Sequence, residues 1–211
     1  MLIDLLIQVN DPRELTNILN SLELDVVGVP YSAHTLIEPA HSSMIVPRTV
    51  YRVEGNRLTP PRRELRRSLV CCIPSTVSQA RSLAKIHGVF TVGLTVETLK
   101  MVDETQINFM ASSRERKFIE VLITDFLGLL REERPRMSVE RAIEFMCRAI
   151  DRALALDVGV VVSSGATSTS RVMHPAQIDA LLHSWGYTKR ERRLVLEVYP
   201  LELVEVWLRW R

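Results

Sequence analysis

The sequence is poor in residues on which several kinds of functional site depend. Its 211 residues include three cysteines, eight glycines and only 6% aromatic residues. The cysteines, two of them adjacent at Cys71 and Cys72, cannot form a paired disulfide framework and lack zinc-finger spacing. We therefore expect buried, reduced thiols.

Motifs for metals and nucleotides are missing as well. The five histidines are scattered, without the His-x-His or i, i+4 pair from which a metal site usually begins. No Gly-x-x-x-x-Gly-Lys, Gly-x-Gly-x-x-Gly or Gly-x-Ser-x-Gly segment occurs, which argues against a P-loop, a dinucleotide site and a serine-hydrolase elbow. We predict that the chain holds neither a metal nor a cofactor.

Long apolar runs are also absent. None approaches the roughly 20 residues that a membrane-spanning helix needs, and the first residues lack the positive leader of a secretory signal. A composition of 46% hydrophobic and 25% charged residues is ordinary for a globular protein. These features predict a soluble, cytoplasmic protein with no membrane partner and a single domain over residues 1–211.

Positive charge is concentrated in two segments, although the formal net charge is only +2. Residues 48–67 contain seven arginines and two glutamates, whereas residues 1–47 contain one arginine and six acidic residues. A second basic run covers residues 189–193. Of the 27 basic residues 23 are arginine, which favours forked contacts to phosphate. Charge alone leaves open both a solvated helix face and a phosphate-binding surface.

Alternating strand and helix patterns predict a parallel α/β fold. Strands are predicted at 2–9, 25–29, 45–53, 69–73, 89–94, 106–110, 118–123 and 159–163. Helices are predicted after the cap Asp11, at 76–87 after the cap Ser75, at 96–102, and from Ser138 as the longest helix. Repeated strand–helix units favour an irregular β/α barrel of the TIM type over an open, doubly wound sheet.

The last residues predict a helical C-terminal extension over 175–211. A helix pattern covers 175–185 and stops at Gly186, and a capping box at Thr188 and a further helix after Pro200 follow. Trp207 and Trp210 are three residues apart on that last helix. This spacing favours core packing or a docking surface over stacking on bases.

Polar loops follow two of the predicted strands. A run of hydroxyl residues follows 159–163, and small residues with cations follow the strand predicted at 106–110. The carboxyl ends of parallel strands meet at one edge, so we expect both loops on one rim, where they bind phosphate. The side chains concerned are Arg114, Arg116, Lys117, Ser163, Ser164 and Arg171.

Two carboxylates lie near that predicted rim. Glu120 and Asp125 would be the acid/base pair of a stand-alone barrel hydrolase that acts on a phosphorylated small molecule and binds its phosphate with the loop 163–171. We favour the other interpretation, a buried Glu120 held by an arginine inside the barrel.

Several stretches together are typical of one known family. The main one is Val-Val-Val-Ser-Ser-Gly-Ala at 160–166, followed by Pro175 and the helix sequence Gln-Ile-Asp-Ala-Leu-Leu at 177–182. Weaker matches are Val-Tyr-Arg at 50–52, the strand 118–121, and Tyr-Pro at 199–200. In these stretches the chain resembles archaeal ribonuclease P protein component 3, whose eukaryotic relative is the thirty-kilodalton protein subunit of the same ribonucleoprotein.

The resemblance implies a barrel of the polymerase and histidinol phosphatase type. Metallohydrolases of that group carry His-x-His on the first strand, and the equivalent stretch here, 3–9, contains no histidine. The implied role is a non-catalytic subunit of the ribonuclease P endoribonuclease, which helps the catalytic RNA to remove the 5′ leader from precursor tRNA. The implied partners are ribonuclease P RNA, precursor tRNA and other protein subunits, especially the small ferredoxin-like one.

On this interpretation basic and hydroxyl side chains bind RNA, and none of the residues is catalytic. The expected RNA-binding residues are Arg48, Arg52, Arg114, Arg116, Lys117, Ser163, Ser164, Arg171, Lys189 and Arg190. Family members tend to have an arginine at the position of Met173, and Arg171 is the candidate to replace it. Replacing the three cations at 114, 116 and 117 should flatten the salt dependence of RNA binding by about two to three units.

Overall fold

A seven-stranded parallel sheet forms the centre of the molecule. The structure is a computed structural model, and it describes residues 1–37, 43–55, 60–131, 135 and 137–211. The strands pair in sequence order. They are β1 (Ile3–Asp4), β2 (Val26–Pro30), β3 (Met44–Arg52), β4 (Leu69–Ile73), β5 (Phe90–Leu94), β6 (Phe118–Leu122) and β7 (Gly159–Ser163).

The segments that follow the first and last strands meet at a seam that nearly closes the sheet. An isolated bridge joins Ile7 to Ala166, and the Gln8 N–H donates to the Ala166 carbonyl at 2.7 Å. The Oδ1 atom of Asp4 accepts from the backbone N–H groups of Ser164 (3.0 Å) and Leu6 (3.1 Å). The predicted fold class, an irregular β/α barrel, is therefore confirmed.

Helices surround the barrel, and several begin at caps that the sequence predicts. They are α1 (Pro12–Leu22), α2 (Arg62–Arg67), α3 (Val77–Leu83), α4 (Glu104–Ala111), α5 (Ile123–Gly128), α6 (Val139–Ala155), α7 (Pro175–Ser184), α8 (Lys189–Arg193) and α9 (Tyr199–Trp210). Asp11 and Ser138 cap α1 and α6, and Thr188 forms the capping box of α8. None of these helices is long and apolar enough to cross a membrane.

Four local predictions are wrong. The strand predicted at 2–9 is limited to β1, with an isolated bridge at Ile7. Residues 106–110 lie in α4, because Asp103 accepts the Gln106 N–H at 2.9 Å and so starts a helix there. The cap of α3 is Thr76 rather than Ser75, and residues 96–101 form turns instead of a helix. The five residues alternate polar Gln106 and Asn108 with apolar side chains, a pattern too short to distinguish a strand from a helix turn. As a consequence, the residues after α4 lead into β6 and do not follow a strand.

Helix α9 covers the amino-terminal end of the barrel. Its Trp207 is 1% exposed and packs in one apolar cluster with Leu69 and Phe118, which lie at the amino-terminal ends of β4 and β6. The Trp207 Nε1–H donates to the Leu65 carbonyl at 3.0 Å. For Trp207, this confirms the prediction of core packing.

A π-helical turn at Leu194–Val198 connects α8 to α9. It ends two residues before Pro200, which has no N–H to donate and whose ring excludes the carbonyl four residues earlier. The wider turn accommodates the proline without ending the helical path. The sequence thus reaches the barrel end along a nearly continuous helix.

Candidate functional site

A buried ion pair crosses the interior of the barrel. The Arg48 side chain from β3 donates to the Glu120 carboxylate from β6, and both side chains are fully buried. The Thr91 hydroxyl donates to the same carboxylate at 2.5 Å and the Ser163 hydroxyl at 2.8 Å. The expectation of a buried Glu120 held by an interior arginine is therefore confirmed.

This burial corrects the predicted role of Arg48. A side chain with no exposed area offers no donor to a phosphate outside the barrel. The hydroxyl of Ser163 is likewise unavailable to such a phosphate, because it donates to Glu120. The burial of Glu120 also disagrees with the hydrolase hypothesis, because a proton-transfer group must come within hydrogen-bonding reach of its substrate.

Polar groups at the seam are also used within the fold. Ser164 is buried, and its hydroxyl donates to the Leu6 carbonyl at 3.3 Å. The neighbouring Asp4 is fully buried, and its Oδ2 atom has no partner among the described residues. Burial raises the pKa of Asp4, and the hydrogen bonds from Ser164 and Leu6 oppose that rise. The prediction that Ser164 contacts RNA is thus corrected as well.

The exposed part of the loop after β7 begins at Thr167 and includes Arg171. Arg171 and Arg131 line a cavity of about 340 Å³ together with the apolar side chains of Leu127 and Met173. The Thr169 hydroxyl donates to Glu14 at 2.8 Å. Arg171 therefore lies at the carboxyl-terminal edge of the barrel, as predicted.

The segment before β6 lies at the opposite end. Because residues 112–117 follow α4 and lead into β6, Arg114, Arg116 and Lys117 lie at the amino-terminal end of the barrel. The predicted shared rim with Arg171 is therefore wrong. The error follows directly from taking 106–110 as a strand.

Two of these three cations are neutralised within the chain. Arg116 makes a bidentate pair with Asp157 (2.6 and 2.9 Å), and its Nε atom lies 2.8 Å from Glu202. The Asp157 hydrogen bond raises the pKa of Arg116. Lys117 is 4% exposed and donates to the Ile86 carbonyl at 2.6 Å. The predicted RNA contact of the buried Lys117 is therefore corrected. Arg116 keeps 27% of its side chain exposed, and its RNA contact stays a prediction.

The remaining predicted cations stay exposed. Arg52 pairs loosely with Glu97 at 3.2 Å, with about two thirds of each side chain exposed. Within the described part of the chain no carboxylate forms an ion pair with Arg114, Arg171, Lys189 or Arg190. Arg57, from the same basic run as Arg52, lies outside the described residues. RNA contacts of these exposed cations stay predictions.

The prediction left out further exposed cations at the amino-terminal end. All four arginines of α2 are exposed, as are Lys85 and Arg211. The charge run at 48–67 signals the α2 arginines, but only the fold shows which end of the barrel they occupy.

The described residues give little support for metal binding or for a reactive thiol. No group of three His, Cys, Asp or Glu side chains there is arranged to hold a metal ion. Cys71 and Cys72 are buried free thiols, as expected from the sequence. Burial raises the pKa of both thiols, which keeps them protonated and unreactive.

The fold matches that of a chain in archaeal ribonuclease P. In the cryo-EM structure of archaeal ribonuclease P with mature tRNA, that chain superimposes with a TM-score of 0.71 and 13% sequence identity, and the match covers 97% of this chain and 90% of that chain. No family model and none of the curated proteins match the sequence. At this identity the likeness establishes a shared fold.

Proposed function

We propose that this chain is a non-catalytic protein subunit of ribonuclease P that helps the catalytic RNA to remove the 5′ leader from precursor tRNA. The observation that carries the proposal is the fold match over nearly the whole chain to a chain of the archaeal complex. The sequence resemblance at 160–182 points independently to the same family. Unpaired exposed arginines fit a role in neutralising RNA phosphates.

The barrel interior fits a structural role better than a catalytic one. Its central carboxylate, Glu120, is ion-paired with Arg48 and accepts from two hydroxyls. A group held in this way stabilises a fixed core and has no free position for a substrate. We extend the proposal to assembly in the cytoplasm with other protein subunits, including the small ferredoxin-like one.

Reconstituted leader removal tests this function. Catalytic RNA, the other protein subunits and precursor tRNA are combined with and without this chain, and the rate of 5′ leader release is measured at several Mg²⁺ concentrations. We expect the complete mixture to cleave faster, most clearly at low Mg²⁺, because a cationic subunit replaces part of the counterion atmosphere. An unrelated basic protein of similar size controls for charge alone.

The isolated chain provides the opposing test. Incubated with precursor tRNA and divalent metal but without catalytic RNA, it should leave the substrate intact. Cleavage under these conditions, or an unchanged rate in the complete mixture, would contradict the proposed function.

A further inference from the structure

Three adjacent strands bring their preceding basic segments together. Strands β4, β5 and β6 are neighbours in the sheet, so their amino ends lie side by side. At about 4.8 Å between strands, the amino ends of β4 and β6 are about 10 Å apart, which long side chains easily span. The residues before these strands, with the end of α9, form what we call the amino-terminal basic surface: Arg62, Arg63, Arg66, Arg67, Lys85, Arg114 and Arg211.

The cations of this surface are exposed and available. In the described ranges none of the seven forms an ion pair with a carboxylate. The Arg211 guanidinium lies 4.9 Å from the centre of the Trp207 ring, a cation–π contact that positions it without neutralising it. Six of the seven are arginines, whose forked donors suit phosphate oxygens.

Several nearby carboxylates are already paired. Asp157 and Glu202 both pair with Arg116. Glu115 accepts from Lys117, from the His87 ring and from the Gly88 N–H. Burial alone would raise the pKa of Glu115, but these hydrogen bonds outweigh it and lower that pKa. The exception is Glu64 on α2, for which no cation partner is found among the described residues.

The platform beneath the cations is rigid. Trp207 of α9 donates to the Leu65 carbonyl of α2, which fixes α2 to the barrel end. Gly88, with a φ of +133°, lies where an added Cβ atom would be 3.6 Å from the Trp210 ring and 3.5 Å from Leu65. Side chains on such a fixed surface lose less freedom on binding than side chains on a flexible loop.

We propose that the amino-terminal basic surface, on which seven cations lie together without an ion pair among the described residues, binds the phosphate backbone of RNA and contributes more to that binding than the carboxyl-terminal edge with Arg131 and Arg171. The proposal rests on the proposed function and adds the face of the barrel that meets RNA. The seven cations of the surface, six of them arginines, favour the phosphate backbone of RNA over an apolar protein interface, whose centre is depleted of charge.

Matched double variants test the proposal on the full chain. Arg66→Gln/Arg67→Gln changes the basic surface, and Arg131→Gln/Arg171→Gln removes the same charge from the other end. The affinity for ribonuclease P RNA is measured from 50 to 300 mM salt, with circular dichroism to verify folding. If both arginines contact phosphates, the first variant flattens the slope of log affinity against log salt by about 1.8 units, and the second flattens it less.

A second variant guards against a local effect on the short helix α2. Lys85→Gln/Arg114→Gln lies on two other segments of the same surface and should also flatten the slope by one to two units. An equal or larger loss for Arg131→Gln/Arg171→Gln overturns the proposal. An unchanged slope for both variants of the basic surface also overturns the proposal. This includes the case in which the variants bind RNA normally but no longer bind an acidic protein partner.

The outcomes separate this proposal from the proposed function. If the wild-type chain accelerates leader removal but the surface variants bind RNA normally, the proposed function is supported and the proposed RNA-binding surface is rejected. If the chain does not accelerate leader removal, but its binding to an unrelated structured RNA depends on these residues, the proposed function is rejected. The basic surface is then still supported as an RNA-binding face.

Discussion

The two ends of the barrel use their charged residues differently. At the carboxyl-terminal edge, Arg52 meets Glu97 and Glu14 accepts from Thr169, so basic and acidic groups are mixed. At the amino ends of β4 to β6, the buried or half-buried cations Arg116 and Lys117 pair with Asp157, Glu202 and Glu115, and the outermost arginines form no ion pair among the described residues. The comparison teaches that available charge depends on pairing within the fold rather than on the number of arginines in a segment.

The largest loss of stability is expected when the buried ion pair is broken. Arg48→Met removes the partner of Glu120 inside the barrel, and should lower the free energy of unfolding by about 3–5 kcal/mol, because a buried carboxylate is left without its counter-ion. Arg52→Met, on the same strand, breaks an exposed pair and should cost less than about 1 kcal/mol. Urea unfolding followed by circular dichroism compares them. Equal losses would mean that the interior pair behaves like a surface pair.

The attachment of α9 to the amino-terminal end is the next comparison. Trp207→Phe removes the donor to the Leu65 carbonyl and should cost about 1–3 kcal/mol, since that buried acceptor is left unsatisfied. Trp210→Phe makes the same chemical change at a half-buried ring that packs without such a bond, and should cost less. Thermal unfolding measures both. If the two variants are equally stable, the hydrogen bond does not anchor the helix.

A smaller, pH-dependent effect is expected at the seam. Because the pKa of Asp4 is raised above its ordinary value of 3.8, the folded protein holds that proton more tightly than the unfolded chain. The contribution of Asp4 to the stability of the wild type should therefore fall as the pH rises above about 3.8. Asp4→Asn can keep the bonds from Leu6 and Ser164, and has no such loss, so its stability relative to wild type should increase with pH. Unfolding at pH 4 and pH 7 tests this, and a constant difference would contradict it.

The smallest effect is expected for a carboxylate at the amino-terminal end. The pKa of Glu115 is lowered below 4.5, so its contribution to stability is present above that pH and is lost as the pH falls. Glu115→Gln should cost less than about 1 kcal/mol at pH 7, because the side chain is 40% exposed. The difference from wild type should shrink in acid, as measured by urea unfolding at pH 3.5 and pH 7. A difference that grows in acid would contradict this assignment.

Much of the fold could be predicted from local pattern. Continuous apolar runs such as 69–73 and 159–163 identify strands because buried parallel strands need apolar residues on both faces. The prediction for 106–110 failed because the alternation of polar Gln106 and Asn108 with apolar neighbours resembles a strand but fits a short helix turn as well. The Asp103 cap decides for the helix. That one error moved three predicted site residues to the wrong end of the barrel.

The site was less predictable because pairing is non-local. A buried Glu120 held by an arginine could be expected from composition and position, but its partner Arg48 lies 72 residues away. Arg116 and Asp157 are 41 residues apart and therefore fall in different segments of the sequence. A charge count by segment lists each of them as a free charge, although they neutralise each other in the fold. Long-range ion pairs are set by the fold, and sequence spacing carries no signal for them.

The bond between Trp207 and Leu65 joins positions 142 residues apart. During synthesis, this end of the barrel is therefore completed only after 142 further residues have been added beyond Leu65. Until then Leu69 and Phe118 remain uncovered, and the nascent chain exposes an apolar opening. A chaperone that protects the nascent chain would have to cover these apolar residues, and it would have to dissociate before α9 can pack against them.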